Sequence, residues 1–300
     1  MPGDYVKNTT VGNARISGMA KQQMIESYGL EIGPIEGYVR WISKGIRGDL
    51  GISFLYKKSV LHVIGSGIPM TLLISSCSLF FQLIISLWLG IGAAFKKNRI
   101  RRRLTGPITI LSISIPVFFV ALLLQKWLAL DLTLLPLQGQ ISLKQDYEGL
   151  LYGLDVAKHL ILPVTALTLT GLGGTTKYIR ERTEEILASG YVLAAVCRGF
   201  DEKEIIKQQV YPNLRVLLSV IIGKEIPALL TKTLIIEEIF ALKGVGTIIF
   251  AGLAIGDIPL IMGFSLLIAI LVVLCAIGED VLYCLSDPRI RLGKGAIHRG

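Results

Sequence analysis

The residues whose order most suggests a task lie in the stretch 177–215, KYIRERTEEILASGYVLAAVCRGFDEKEIIKQQVYPNLR, set between two apolar runs. A polar, amphipathic connection this long inside a compact membrane domain usually has a function. Its pattern predicts two short helices, 191–198 and 201–210, joined at Gly199, whose lack of a side chain allows the positive φ a tight turn needs. Asp201 followed by Glu204 has the capping-box spacing that starts a helix. Ala194 and Ala195 are small enough for a partner surface to approach closely, and Val196, Phe200, Ile205 and Ile206 supply apolar grip. This is docking chemistry rather than catalysis. The chain has no GxxxxGK[ST] nucleotide-binding loop and is not expected to be an enzyme.

A second group is charged where charge is costly. Lys224, Glu225 and Lys232 interrupt the apolar run 216–236. Ionisable groups at membrane depth normally face a pore or a partner. As sequence neighbours on a helix, Lys224 and Glu225 point about 100° apart and form no i,i+4 pair. Both are candidate pore-lining residues that could touch a substrate terminus. Lys224 has a second reading, a stem that snorkels to the cytoplasmic interface. Glu279 and Asp280 are expected to contact basic loop residues. The run GLGG at 171–174 resembles a phosphate loop superficially, and its small residues fit close helix packing or a hinge better. Cys77, Cys197, Cys275 and Cys284 show no CxxC spacing and read as free, buried thiols; His62, His159 and His298 are scattered and read as surface residues. No metal site is indicated.

These groups must be positioned by a membrane protein. The composition is 52 % hydrophobic and 18 % charged, with a mean hydropathy of +0.62, and the charges fall in blocks between long apolar runs. Basic blocks beside spans set orientation, which argues against nucleic acid as the reason for the net charge of +9. Five spans are expected, near 69–95, 105–130 (kinked at Pro116), 159–176, 216–236 and 259–285, all helical because lipid cannot satisfy bare backbone groups. The loop KKNRIRRR, 96–103, holds six basic residues and no acidic one and belongs in the cytoplasm. The connection 131–158 then lies outside, 177–215 inside, the loop around Glu237, Glu238 and Asp257 outside, and the tail 286–300 inside. Residues 1–68, with eight basic residues, must then be outside with no span to carry them across. A missing first helix, through a wrong start or truncation, is the expected explanation; a true five-span chain with an outer N-terminus is the alternative. The domain reading is an extracytoplasmic segment 1–68, a membrane domain 69–285 and a tail 286–300.

The hairpin resembles the EAA motif of ABC importer permeases: EAA, three residues, Gly, nine residues, then I-x-L-P. Ala194, Ala195, Gly199 and Pro212 match, while Leu193 replaces the leading glutamate and Gln209 the isoleucine. The stretch YVLAAVCRGF, from Tyr191 through Arg198 to Phe200, is closer to the peptide and nickel permeases' Y-[IV]-x-x-A-x-A-K-G-L. RGDLGISF at 47–54, IIEEIFALKGVG at 235–246, GDIPLIMG at 256–263 and LYCLSDPRIR at 282–291 resemble further signatures of that family, and the opening MPGD resembles its segment after a first helix. By these residues the chain is identified as a member of the oligopeptide, dipeptide and nickel importer permeases, B-type subunit. The resemblance implies an all-α, MetI-like helix bundle, multi-pass in the bacterial cytoplasmic membrane. It implies pairing with a homologous second permease, two ABC ATPase subunits that bind ATP and Mg while this chain holds no cofactor, and an extracytoplasmic solute-binding protein. It gives Tyr191, Ala194, Ala195, Arg198, Gly199, Phe200 and Pro212 an ATPase-coupling role. Two other classes remain: a secondary transporter or channel acting alone, favoured by internal repeats, and a non-transporting scaffold, whose deletion would leave uptake unchanged.

Overall fold

The computed structural model describes residues 34–95, 99–142 and 149–286, leaving aside the side chains of 34, 216 and 283–286. The described residues are helical, joined by turns and one isolated bridge between Ile52 and Ser59. In chain order the helices are α1 (Pro34–Gly45), α2 (Val60–Ala94), α3 (Arg99–Ser114), α4 (Val117–Leu124), α5 (Leu150–Leu187), α6 (Gly190–Cys197), α7 (Glu202–Ile205), α8 (Tyr211–Ile239), α9 (Val245–Ile255) and α10 (Ile258–Ser286). Two π-helical stretches, Gln125–Asp131 and Ile206–Val210, extend α4 and join α7 to α8.

α2, α5 and α10 are long and apolar enough to span a bilayer. The second expected span is present as a pair rather than one kinked helix: α3 and α4 with its π extension meet at a 104° bend at Ile115–Pro116. Proline has no N–H and disfavours helix in the residue before it, so the chain stops and restarts there. α8 has 29 residues and is about 44 Å long, but Lys224, Glu225 and Lys232 keep it from qualifying on composition. Large apolar side chains such as Phe80, Phe81, Ile110, Leu122, Val273 and Leu274 stand exposed on these helices, as a lipid-facing surface requires.

The third span corrects the expected loop boundary. α5 runs on to Leu187, so the first turns of the supposed connection are helix, decorated by the pairs Lys177–Glu181 (3.9 Å), Arg180–Glu184 (2.9 Å) and Arg182–Glu185 (2.8 Å). α1 and α9 lie where no element was expected. The chain divides into two compact units. One takes the described residues up to Met70 together with Lys243–Ile270; the other takes Thr71–Leu242 and the chain from Leu271.

Asp257 centres the first unit. It is fully buried and accepts from the Ser53 hydroxyl (2.6 Å), the Leu55 N–H (3.0 Å) and, as the cap of α10, the Leu260 N–H (3.2 Å). Burial, with the Asp257 carboxylate adding to it, raises the Tyr56 phenol above its ordinary value. Gly256, at φ +73°, ends α9 just ahead of it.

In the second unit α2 and α5 are joined by buried polar side chains. Gln82 donates to Gly171 O (3.2 Å) and Thr175 Oγ1 (2.8 Å), Thr176 donates to Ser86 (3.2 Å), and Ser75 pairs with Thr233 of α8 (3.0 Å). Small residues and hydrogen-bonding side chains hold helices together where lipid offers no hydrophobic contrast. The GLGG run fits this packing, since it lies inside α5 and not in a loop. A Cβ at Gly171 would collide with Gln82, and one at Gly173 would sit 2.7 Å from Thr109 O on α3.

Candidate functional site

The hairpin forms as its sequence directs. α6 ends in a Schellman arrangement, with Phe200 N–H on Ala195 O (3.2 Å) and Gly199 N–H on Val196 O (2.9 Å). Gly199 has φ +86° with nothing within 4 Å of a would-be Cβ, so conformation and not crowding calls for glycine. Asp201 and Glu204 complete the capping box reciprocally, at 2.7 and 2.8 Å. Pro212 follows the π turn; it has no N–H to offer the preceding turn, and the widened turn gives its ring room. Arg198 lies along its own helix end, with Nε donating to Ala194 O (3.3 Å) and its guanidinium 5.4 Å from the Phe200 ring.

Seating divides the predicted residues into two sets. Val192, Ile205 and Val210 join Ile91 of α2, Ile179 and Ile186 of α5, and Leu214 and Ile221 of α8 in one buried cluster, with Phe200 and Ile206 packed against it. Ala195 is also fully buried. Ala195, Phe200, Ile205 and Ile206 therefore pack into the hairpin's own seat. The exposed face carries Tyr191, Leu193, Ala194, Val196, Cys197, Arg198 and Gly199. Apolar Leu193, at 64 % exposure, is adjacent in sequence to Val192 at 2 %.

The charges of α8 separate as well. Glu225 and Lys232 line a cavity of about 380 Å³, whose wall also includes Ser112, Pro116, Thr170 and Gly174. Lys224 is exposed and is not part of that lining. Glu225 and Lys232 stand seven positions apart on one helix face. Near the end of α10, Glu279 lies where a Cβ on Gly223 would meet it at 2.7 Å, and neither it nor Asp280 makes an ion pair among the described residues. Cys197 is exposed and Cys77 and Cys275 are half-buried, so the cysteines are less enclosed than expected. His62 is exposed, whereas His159 is buried with Nδ1 2.8 Å from Asp155 O; Cys284 and His298 lie outside the described side chains. The polar pairing of α2 and α5 went unread, although Ser75, Ser78, Gln82 and Ser86 recur at helical spacing within an apolar run.

A multi-pass helical membrane protein with an exposed apolar patch on its hairpin and a charged cavity among its helices has features that suit a solute-transport component. The family model described as binding-protein-dependent transport system inner membrane component matches residues 86–292, and the chain belongs to that family. It is similar to the oligopeptide transport system permease protein AppB of Bacillus subtilis, 30 % identical over 96 % of this chain and 90 % of that protein. It is similar, at 26 % identity over 97 % of this chain and 90 % of each relative, to the dipeptide transport system permease protein DppB of Lactococcus lactis and the di/tripeptide transport system permease protein DppB of Pseudomonas aeruginosa.

Proposed function

We propose that this chain is a pore-forming permease subunit of an ABC importer for peptides in the bacterial cytoplasmic membrane. The observation that carries this reading is the hairpin: its inner face is sealed on the ends of α2, α5 and α8, and its outer face leaves Tyr191, Leu193 and Val196 uncovered. An apolar patch on a polar, helix-capped hairpin suits a socket on a partner. Two ATPase subunits would supply ATP binding and hydrolysis, a homologous second permease the other half of the pore, and an extracytoplasmic binding protein the solute. ATP-driven closure of the ATPases would move the hairpins, and the helix bundle would switch between inward- and outward-facing states. The names of the three relatives favour peptides over nickel. In the test, tagged chain is purified from its own cells and peptide uptake is measured with and without the associated ATPases. ATPase recovery together with ATPase-dependent uptake is expected; undiminished uptake without any ATPase would overturn the reading.

A further inference from the structure

We propose that Glu225 and Lys232 are two poles of a site for the zwitterionic backbone of a di- or tripeptide, Glu225 receiving the α-ammonium and Lys232 the α-carboxylate. This rests on the peptide-permease reading and names the part of the path that would recognise the cargo. The first observation is electrostatic. Both side chains are half-buried on α8, and among the described residues neither makes an ion pair or a side-chain hydrogen bond. Glu225 stands at the midpoint of the 29-residue helix, where an unpaired ionisable group is costly unless water or a ligand meets it.

The second observation is the cavity itself. At about 380 Å³ it falls within the roughly 300–1,000 Å³ usual for small-ligand sites. Its wall includes the break between α3 and α4, through Ser112, Ile113, Ile115, Pro116 and Val117. Non-helical backbone at membrane depth is tolerated where it is enclosed by protein or lines water, so this wall suits an aqueous compartment.

The third observation is spacing. Seven residues of α-helix rise about 10.5 Å and return to within about 20° of the same face. An extended peptide covers at most about 3.3–3.6 Å per residue, so two or three residues bring opposite terminal charges to the two poles. A longer peptide must leave one terminus outside. Gly174 has open space where a Cβ would stand, which keeps the facing wall of α5 low there and leaves side chains of the cargo unread. Recognition of termini and not of side chains suits a transporter whose substrate choice is made elsewhere.

The experiment uses the intact purified transporter without its binding protein, so that delivery does not contribute. Binding of Ala-Ala-Ala, its N-acetyl form and its C-terminal amide is measured by saturation-transfer NMR. Wild type is expected to favour the free tripeptide over either blocked form by about tenfold, the scale of one charge-assisted hydrogen bond. Lys232→Gln should remove the preference for free peptide over the amide, and Glu225→Gln the preference over the N-acetyl form. Glu225→Asp, recovered as the same monodisperse complex, should keep it. Equal binding of all three peptides by wild type, or equal weakening of all three in each variant, overturns the proposal while leaving the permease reading intact. Absence of peptide uptake by wild-type cells would instead defeat the permease reading.

Discussion

The hairpin of α6 and α7 and the cavity beside α8 are built on opposite plans. The hairpin's inner face is apolar, closed by Val192, Ile205 and Val210 against three long helices, and its backbone ends are satisfied locally by a Schellman turn and a capping box. The cavity is bounded by a broken helix, glycines and two charges without partners among the described residues. A part that passes motion on has to be stiff and complete in itself. A part that receives cargo has to be left incomplete, so that the cargo finishes it.

The sharpest way to break this contrast is to change neighbouring residues on opposite sides of α6. Val192→Asp places a charge in the buried cluster and should cost on the order of 3–5 kcal/mol, seen as loss of folded complex by size-exclusion chromatography. Leu193→Asp should leave folding within about 0.5 kcal/mol of wild type yet weaken ATPase recovery about tenfold. If both variants fold, or both fail, the two faces are not distinct. Gly199→Ala should destabilise the hairpin by about 1–2 kcal/mol, because alanine resists the φ of +86°, and proteolysis within residues 198–201 should quicken. The smallest effect belongs to Lys224→Gln, which should leave peptide binding within about twofold of wild type, since this side chain is exposed and off the cavity wall.

The same contrast explains what could be read from the chain alone. The hairpin was legible because its determinants are local: Gly199, the Asp201–Glu204 spacing and the adjoining apolar residues lie within a few positions of one another. Which side of it would be covered was not legible, because Ile91, Ile179 and Leu214 come from distant helices. The long apolar helices are legible as spans, but α9 is not, because VGTIIFAGLAI is too short to cross a bilayer and reads as part of a loop. The end of α5 was taken for connection because its charged residues pair along the helix surface and hide its periodicity. The cavity needed the third dimension: Pro116, Thr170 and Glu225 meet only after three separate helices have packed.

The Ser53–Asp257 contact sets an order for biosynthesis. Its two partners are 204 positions apart, so at about 5–20 residues per second the early segment waits roughly 10–40 s for its carboxylate to leave the ribosome. Through that interval Ser53 and the Leu55 N–H have to be satisfied by solvent or by an insertion factor. The unit that contains them is thus assembled late, and a chain stalled before Asp257 would leave the turn at Ser53–Tyr56 unlatched.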